Sequence, residues 1–283
     1  MALTVNTNMQ ALRIQGNLNA ATGKMNTAME RMSSGSKINS AKDDAAGLAV
    51  ATKLTTTIQS SKVASNNVAI GSNLLDTAEG TLDVITENLQ RIRYLAEQAA
   101  NGTYSDSDRE AIAAEVTARI AQIDDLASSS TFNEVVLFGG NAASSGITLQ
   151  VGTEDATASR LVLSSEIFAS VALATDLTSL ATIIEAGVNS SIGAQMTLID
   201  TALDDITSRV TQIGAAQNRL EAVASGLDVQ QVNLTAAKST IMDADIAEES
   251  ASFVQQQILQ QASASLLVQA NSAPQIALTL IKG

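Results

Sequence analysis

Residues 192–234 read IGAQMTL IDTALDD ITSRVTQ IGAAQNR LEAVASG LDVQQVN L when cut into sevens. The first column is Ile192, Ile199, Ile206, Ile213, Leu220, Leu227 and Leu234. The fifth column is Met196, Leu203, Val210, Gln217, Ala224 and Gln231. Alternating steps of four and three put both columns on one stripe of an α-helix. A helix this long holds its shape by packing that stripe on another helix, not by propensity alone. The two Gln residues weaken the seam and help fix its register.

Working outward, the partner helices have the same spacing. Leu75, Ala78, Leu82, Ile85, Leu89, Ile92, Ala96 and Ala99 form a second long ladder. Ala113, Val116, Ile120, Ile123 and Ala127 form a third, with Ser107 and Glu110 read as its capping box. Leu18, Ala21, Met25, Ala28 and Met32 repeat the step near the N-terminus. Val254, Ile258, Ala262, Leu266 and Leu267 share a broad face near the C-terminus, after a cap at Asp245 and Glu248. Residues 33–42 read as a connector, with Ser40 and Asp43 as the cap that follows. Residues 131–173 differ, with Gly139-Gly140, short apolar runs and alternation at Ile147, Leu149 and Val151. They read as short strands and loops that must pack on the helices. The expected fold is mainly α: a long antiparallel helical bundle or coiled coil, a small β-hairpin region and terminal helices that pair. Its monomer seam is Leu82, Ile85, Leu89, Ile199, Ile206, Ile213 and Leu220.

Composition narrows the function. The 283 residues include no His, no Cys and no Trp. That removes Ser-His-Asp triads, thiolate nucleophiles and ordinary zinc sites. Two Tyr and four Phe are few for a thick core, although 45% of residues are hydrophobic. Small and aliphatic side chains suit a narrow helix–helix seam. A formal charge of −13 disfavours nucleic acid. Asp243, Asp245, Glu248 and Glu249 read as helix-start acids, not a metal cluster, because calcium-loop spacing is absent. No cofactor is expected. No stretch is apolar enough to insert in a membrane, and no secretory signal is recognisable at the start. Residues 250–283 carry one charge, Lys282, among many Gln, Ser and Ala. An uncharged amphipathic end of this kind calls for a partner, since solvated tails are normally charged.

The two ends are more specific than the ladders. Met32-Ser33-Ser34-Gly35 and Ile38-Asn39-Ser40-Ala41-Lys42-Asp43-Asp44-Ala45-Ala46-Gly47-Leu48-Ala49 resemble the signature stretch of bacterial flagellins. Gln90-Arg91-Ile92-Arg93, Leu95-Ala96 and Thr131-Phe132-Asn133 look similar to the same family. So do Asp243-Ala244-Asp245, Gln257-Ile258-Leu259-Gln260-Gln261-Ala262, Gln269-Ala270-Asn271 and Pro274-Gln275. The matches span residues 1–140 and 190–283.

The resemblance implies a filament subunit in a minimal form without large outer variable domains. It implies that residues 1–40 and 241–283 pair as an inner terminal coiled coil in the filament core. Residues 41–240 then make a rod-like helical layer, including the β-rich segment at 131–173. The expected inner assembly seam is Leu18, Met25, Met32, Val254, Ile258 and Leu266. By resemblance, Gln90, Arg91, Leu95 and Glu115 match the stretch that innate immune receptors read in many flagellins, with Tyr94 where an acid is common. Ser144, Ser145, Thr157 and Ser159 are candidate O-glycan acceptors on the same ground. Expected partners are other copies in an open helical polymer, the flagellar export apparatus, a flagellin chaperone, and junction and cap proteins. Expected localisation is the extracellular flagellum, reached without a cleaved signal peptide. Three alternatives stand beside this reading: a hook–filament junction protein, a generic coiled-coil scaffold and a carboxylate enzyme.

Overall fold

The computed structural model describes residues 7–154, 159–170 and 173–282. The helices are α1 (Met9–Ser34), α2 (Ala45–Ala99), α3 (Asp106–Ser129), α4 (Asn141–Ser145), α5 (Leu173–Glu185), α6 (Asn189–Met242) and α7 (Ile246–Lys282). Between α3 and α5 lie β1 (Thr131–Phe132), β2 (Val135–Val136), β3 (Ile147–Gln150) and β4 (Arg160–Leu163). The chain divides into two compact units. One is Gln59–Gln231, and the other joins Met1–Ile58 to Val232–Gly283. The long helices α2 and α6 each contribute to both.

The central unit holds the large core. Ile192, Ile199, Ile206, Ile213 and Leu220 on α6 are buried, as are Leu75, Leu82, Ile85, Leu89 and Ile92 on α2. The second α6 column, from Met196 to Ala224, is half-buried at the seam edge. Polar pairs fix direction and register. Arg93 meets Asp200 at 2.6 Å, while Gln217 Nε2 donates to Asp76 and Glu79, both at 2.9 Å. Rising numbers on α2 thus meet falling numbers on α6, so the helices are antiparallel. Gln217 does more than weaken the seam: its amide ties two α2 carboxylates at one register. Helix α3 returns along α2, with Arg119 donating to Asn88 at 2.9 Å and Thr81 bonded to Ser130 at 3.0 Å. It also packs on α5.

Two caps differ from the sequence reading. The capping box of α3 is Ser105 with Asp108, not Ser107 with Glu110. The Asp108 carboxylate accepts from both the Ser105 amide and the Ser105 hydroxyl. Asp reaches the N-cap amide as well as Glu does, so the start moves up by two residues. At α2 the cap is Asp44, whose Oδ1 accepts from Gly47 N at 2.9 Å. Ser40 and Asp43 instead close the turn before it. The α7 cap is as read, with Asp245 Oδ1 accepting from Ala247 and Glu248 amides.

The 131–173 segment makes two antiparallel hairpins, β1–β2 and β3–β4, with helix α4 between them. The two-residue turn of the first hairpin uses Asn133 at φ 48° and Glu134 at φ 66°. Both angles suit a type I′ turn, but only Asn accepts the left-handed region easily. Leu137, Phe138, Leu161, Leu163 and Phe168 anchor the segment in the central core. Arg209, almost buried, reaches from α6 to the Ala169 carbonyl and to Asp205.

Ile206→Asp should unfold the central unit, because it places an unpaired charge in the longest seam. Leu82→Ala should cost about 2–5 kcal/mol without changing helix content. Circular dichroism melts of the two variants check both; a fully helical Ile206→Asp protein with unchanged melting contradicts the seam.

Candidate assembly surface

The terminal unit is built on a different principle. Helix α1 presents Ile14, Leu18, Ala21, Met25, Ala28 and Met32 at steps of four and three, all buried or half-buried. Opposite, α7 presents Glu249, Gln256, Ser263 and Ala270 at strict sevens, with Phe253, Gln260 and Leu267 between them. The pair is antiparallel. Asn8 donates to the Ala270 carbonyl at 2.8 Å, Gln260 to Thr22 at 3.1 Å, and Arg31 to Glu249 at 2.9 Å. The buried members of this seam are Ala21, Ala28, Gln256 and Ala270. Three are alanines, so the helices approach closely but bury little apolar area per residue.

The connectors to α1 and α7 pair as well. Gly35 ends α1 at φ 70°, the left-handed geometry glycine supplies without strain. Its carbonyl accepts from Ala244 N at 3.0 Å, while Lys37 N donates to Met242 O at 2.6 Å. Ser36 and Asp243 form a bridge between them. Gly47 leaves room for its neighbours: a Cβ there would crowd the Asp44 carboxylate and the Ile38 tip, so the α2 cap or the buried Ile38 would have to shift. The signature stretch thus folds as a tight corner around buried Ile38. Asp43 accepts from the Ser40 amide and hydroxyl and from the Asn39 amide. Those donors, the Ser40 amide foremost, hold its carboxyl below the usual aspartate range.

The six residues expected to form an assembly seam are not brought together within one chain. Leu18, Met25 and Met32 lie on the half-buried stripe of α1. Val254, Ile258 and Leu266 lie away from α1 and are 51%, 60% and 52% exposed. Leu12, Leu259 and Val268 are exposed too. They stand in or against a stretch, residues 250–281, that carries no charge, unlike an ordinary solvated helix face. The sequence ladder found these residues but not which side of α7 they occupy. That side was legible in the polar heptad Glu249, Gln256, Ser263, which a search for apolar columns passes over.

A second surface lies on α2 and α3. Arg91 donates to Glu115 through Nε and Nη2, at 2.9 and 3.2 Å. The Arg91 guanidinium also stands 5.3 Å from the centre of the exposed Tyr94 ring. This pairing raises the Arg91 pKa and lowers that of Glu115. Gln90 is exposed beside them, but Leu95 is only 2% exposed and belongs to the core. Ser144 and Ser145 are exposed on α4, and Ser159 is half-buried where its carbonyl accepts from Val151 and Gly152. Thr157 lies outside the described residues. No group of three or more Asp or Glu that could hold a metal occurs among the described residues.

Residues 5–143 match the family model of the bacterial flagellin N-terminal helical region. Residues 196–281 match that of the bacterial flagellin C-terminal helical region. The chain belongs to the bacterial flagellin family. It is 34% identical to Flagellin FlaB1 of Treponema pallidum, over 99% of this chain and 100% of that one. It is 31% identical to Flagellin E of Vibrio cholerae, over 100% of both chains. That alignment runs to 377 positions against 283 here, so Flagellin E carries inserted sequence that this flagellin lacks. A putative flagellar hook-associated protein from Vibrio parahaemolyticus shares the fold, with a TM-score of 0.61 over 71% of this chain and 100% of that one, at 18% identity. The chain is therefore a subunit of the extracellular flagellar filament that drives motility, and its family is a structural one. No described helix is long and apolar enough to cross a membrane.

Asp43 gives a pH test of the corner. Its folded pKa is depressed, so its stabilisation is present above the ordinary aspartate value of about 3.9 and is lost as pH falls through the folded value. Asp43→Asn should lower the melting temperature at neutral pH and shrink the further drop seen at about pH 3. An unchanged melting profile across that range contradicts the role.

Proposed function

We propose that the paired terminal helices form the core of the filament and that the exposed apolar side of α7 is covered by neighbouring subunits. The observation that carries this reading is the mismatch inside the terminal unit. Its internal seam buries mostly alanine, while Val254, Ile258 and Leu266 remain half exposed or more. Taking such a side chain from full exposure to burial contributes about 1.5–3 kcal/mol, and roughly half of that remains to be gained at each of these three positions. The contact is head-to-tail and non-closing, because α7 of one copy meets a different surface on the next; only that geometry gives an open helix. In this reading residues 1–40 and 241–283 are the core, and residues 41–240 lie outside it. Leu18, Met25 and Met32 then support the α1–α7 pair inside the subunit, while Val254, Ile258 and Leu266 meet neighbouring subunits.

The finer partners follow the family. Subunits leave the cell through the flagellar export apparatus, held by a flagellin chaperone and without signal cleavage. Export of an unfolded chain is compatible with the absence of Cys. Junction and cap proteins bound the polymer at its ends. Gln90, Arg91 and Glu115 offer an innate immune receptor a polar surface, to which buried Leu95 adds no contact in this conformation. Ser144 and Ser145 are the accessible candidates for O-glycans, ahead of Ser159.

Leu266→Asp tests the assembly reading. The variant should keep the wild-type helix content and melting of the central unit, yet fail to elongate short filament seeds in electron micrographs. Normal long filaments from this variant overturn the inner seam. Wild-type chains that bind seed ends without elongating them point instead to a hook–filament junction protein.

A further inference from the structure

We propose that Asn101 is a site of spontaneous deamidation in the folded chain. It lies in the turn between the end of α2 at Ala99 and the start of α3 at Asp106. Asn101-Gly102 is the only Asn-Gly pair in the 283 residues. Both residues are exposed. Nothing stands within 4 Å of where a Gly102 Cβ would be, so this side of the turn is uncrowded. Among the described residues the Gly102 N–H donates no hydrogen bond, so removing its proton breaks none. The Asn101 side chain turns toward the residues that follow it, its Oδ1 accepting from Thr103 N at 3.3 Å. That donor polarises the carboxamide and stabilises negative charge developing on its oxygen.

The step needs only water. Gly102 N gives its proton to solvent and attacks Asn101 Cγ, forming a new C–N bond. The tetrahedral oxyanion collapses, the Cγ–Nδ2 bond breaks, and the amide leaves as ammonia after taking a proton from water. Water then opens the succinimide at either carbonyl, leaving Asp or isoaspartate at position 101. No electron acceptor or donor is involved.

The product changes this corner. A new carboxylate appears at the C-terminal end of α2, where the helix dipole is already negative. In the isoaspartate form an extra methylene enters the backbone between two turn hydrogen bonds, Asn101 N to Gln98 O at 3.2 Å and Tyr104 N to Asn101 O at 3.5 Å. The far side of the turn is braced by Arg109, which donates to the Tyr104 carbonyl at 2.8 Å. The modification therefore loosens the α2 side of the turn.

The test is peptide mapping by mass spectrometry of the full chain held at mildly alkaline pH, native and in urea. The expected result is a one-unit mass gain at residue 101, split into two isomeric peptides, while Asn39-Ser40, Asn189-Ser190 and Asn271-Ser272 stay unchanged. Conversion should run at least as fast in the native chain as in urea. Gly102→Ala, checked for native helix content, should slow it by about tenfold, because a Cβ shields the nitrogen and restricts the backbone. Residue 101 remaining Asn while the comparators convert overturns the proposal. So does faster conversion in urea, or a Gly102→Ala chain that converts at the wild-type rate.

Discussion

The antiparallel seam between α2 and α6 is the interaction on which the rest depends. Buried Ile199, Ile206 and Ile213 on one helix and Leu82, Ile85 and Leu89 on the other form its centre. Apolar packing alone would permit a slip of one heptad, since each turn of the ladder resembles the next. Polar pairs remove that freedom. Gln217 finds Asp76 and Glu79 only at one register, and Arg93 finds Asp200 only there too. These pairs are partly exposed, so each adds little stability, but a slipped register would leave them unmatched. With the seam fixed, α3 returns along α2, and the β hairpins are held against it through Phe138, Phe168 and the Arg209 clamp.

The terminal unit inherits none of that strength. Its seam pairs a stripe of Leu, Met and Ala on α1 with Gln, Ser and Ala on α7. Small residues allow close approach, and Asn8, Gln260 and Arg31 fix the antiparallel register. Phe253 and Leu267 lie in this seam, but Val254, Ile258, Leu259, Leu266 and Val268 of α7 are exposed. A helix pair that is weak within the chain and sticky outside it suits a subunit that must stay soluble before assembly and order firmly afterwards. The tight corner at Ile38, Gly47 and Asp43 fixes where that pair begins.

Much of this was legible in the sequence because heptads are a direct record of packing. The ladder from Ile192 to Leu220 and the one from Leu75 to Ala99 can be read without coordinates. So can the connector after α1 and the hairpin segment after Thr131. What stayed hidden had polar or short-range causes. The seam face of α7 is polar, so apolar columns did not mark it. The α3 cap used Asp108, although a box with Glu110 looked equally good. Helix α5 is only 13 residues long and gives too few turns to show a period. The burial of Leu95, off the main ladder of α2, comes from the central core around it, which spacing on α2 alone cannot reveal.

The central claim is that the terminal helices are completed between chains. Hydrogen–deuterium exchange on soluble subunits and on assembled filaments tests it most directly. Amides of α1 and α7 should exchange readily in the soluble subunit and slow by about tenfold or more in the filament, while those around Ile206 are protected in both. Equal protection of α1, α7 and the Ile206 region in the soluble subunit would contradict it.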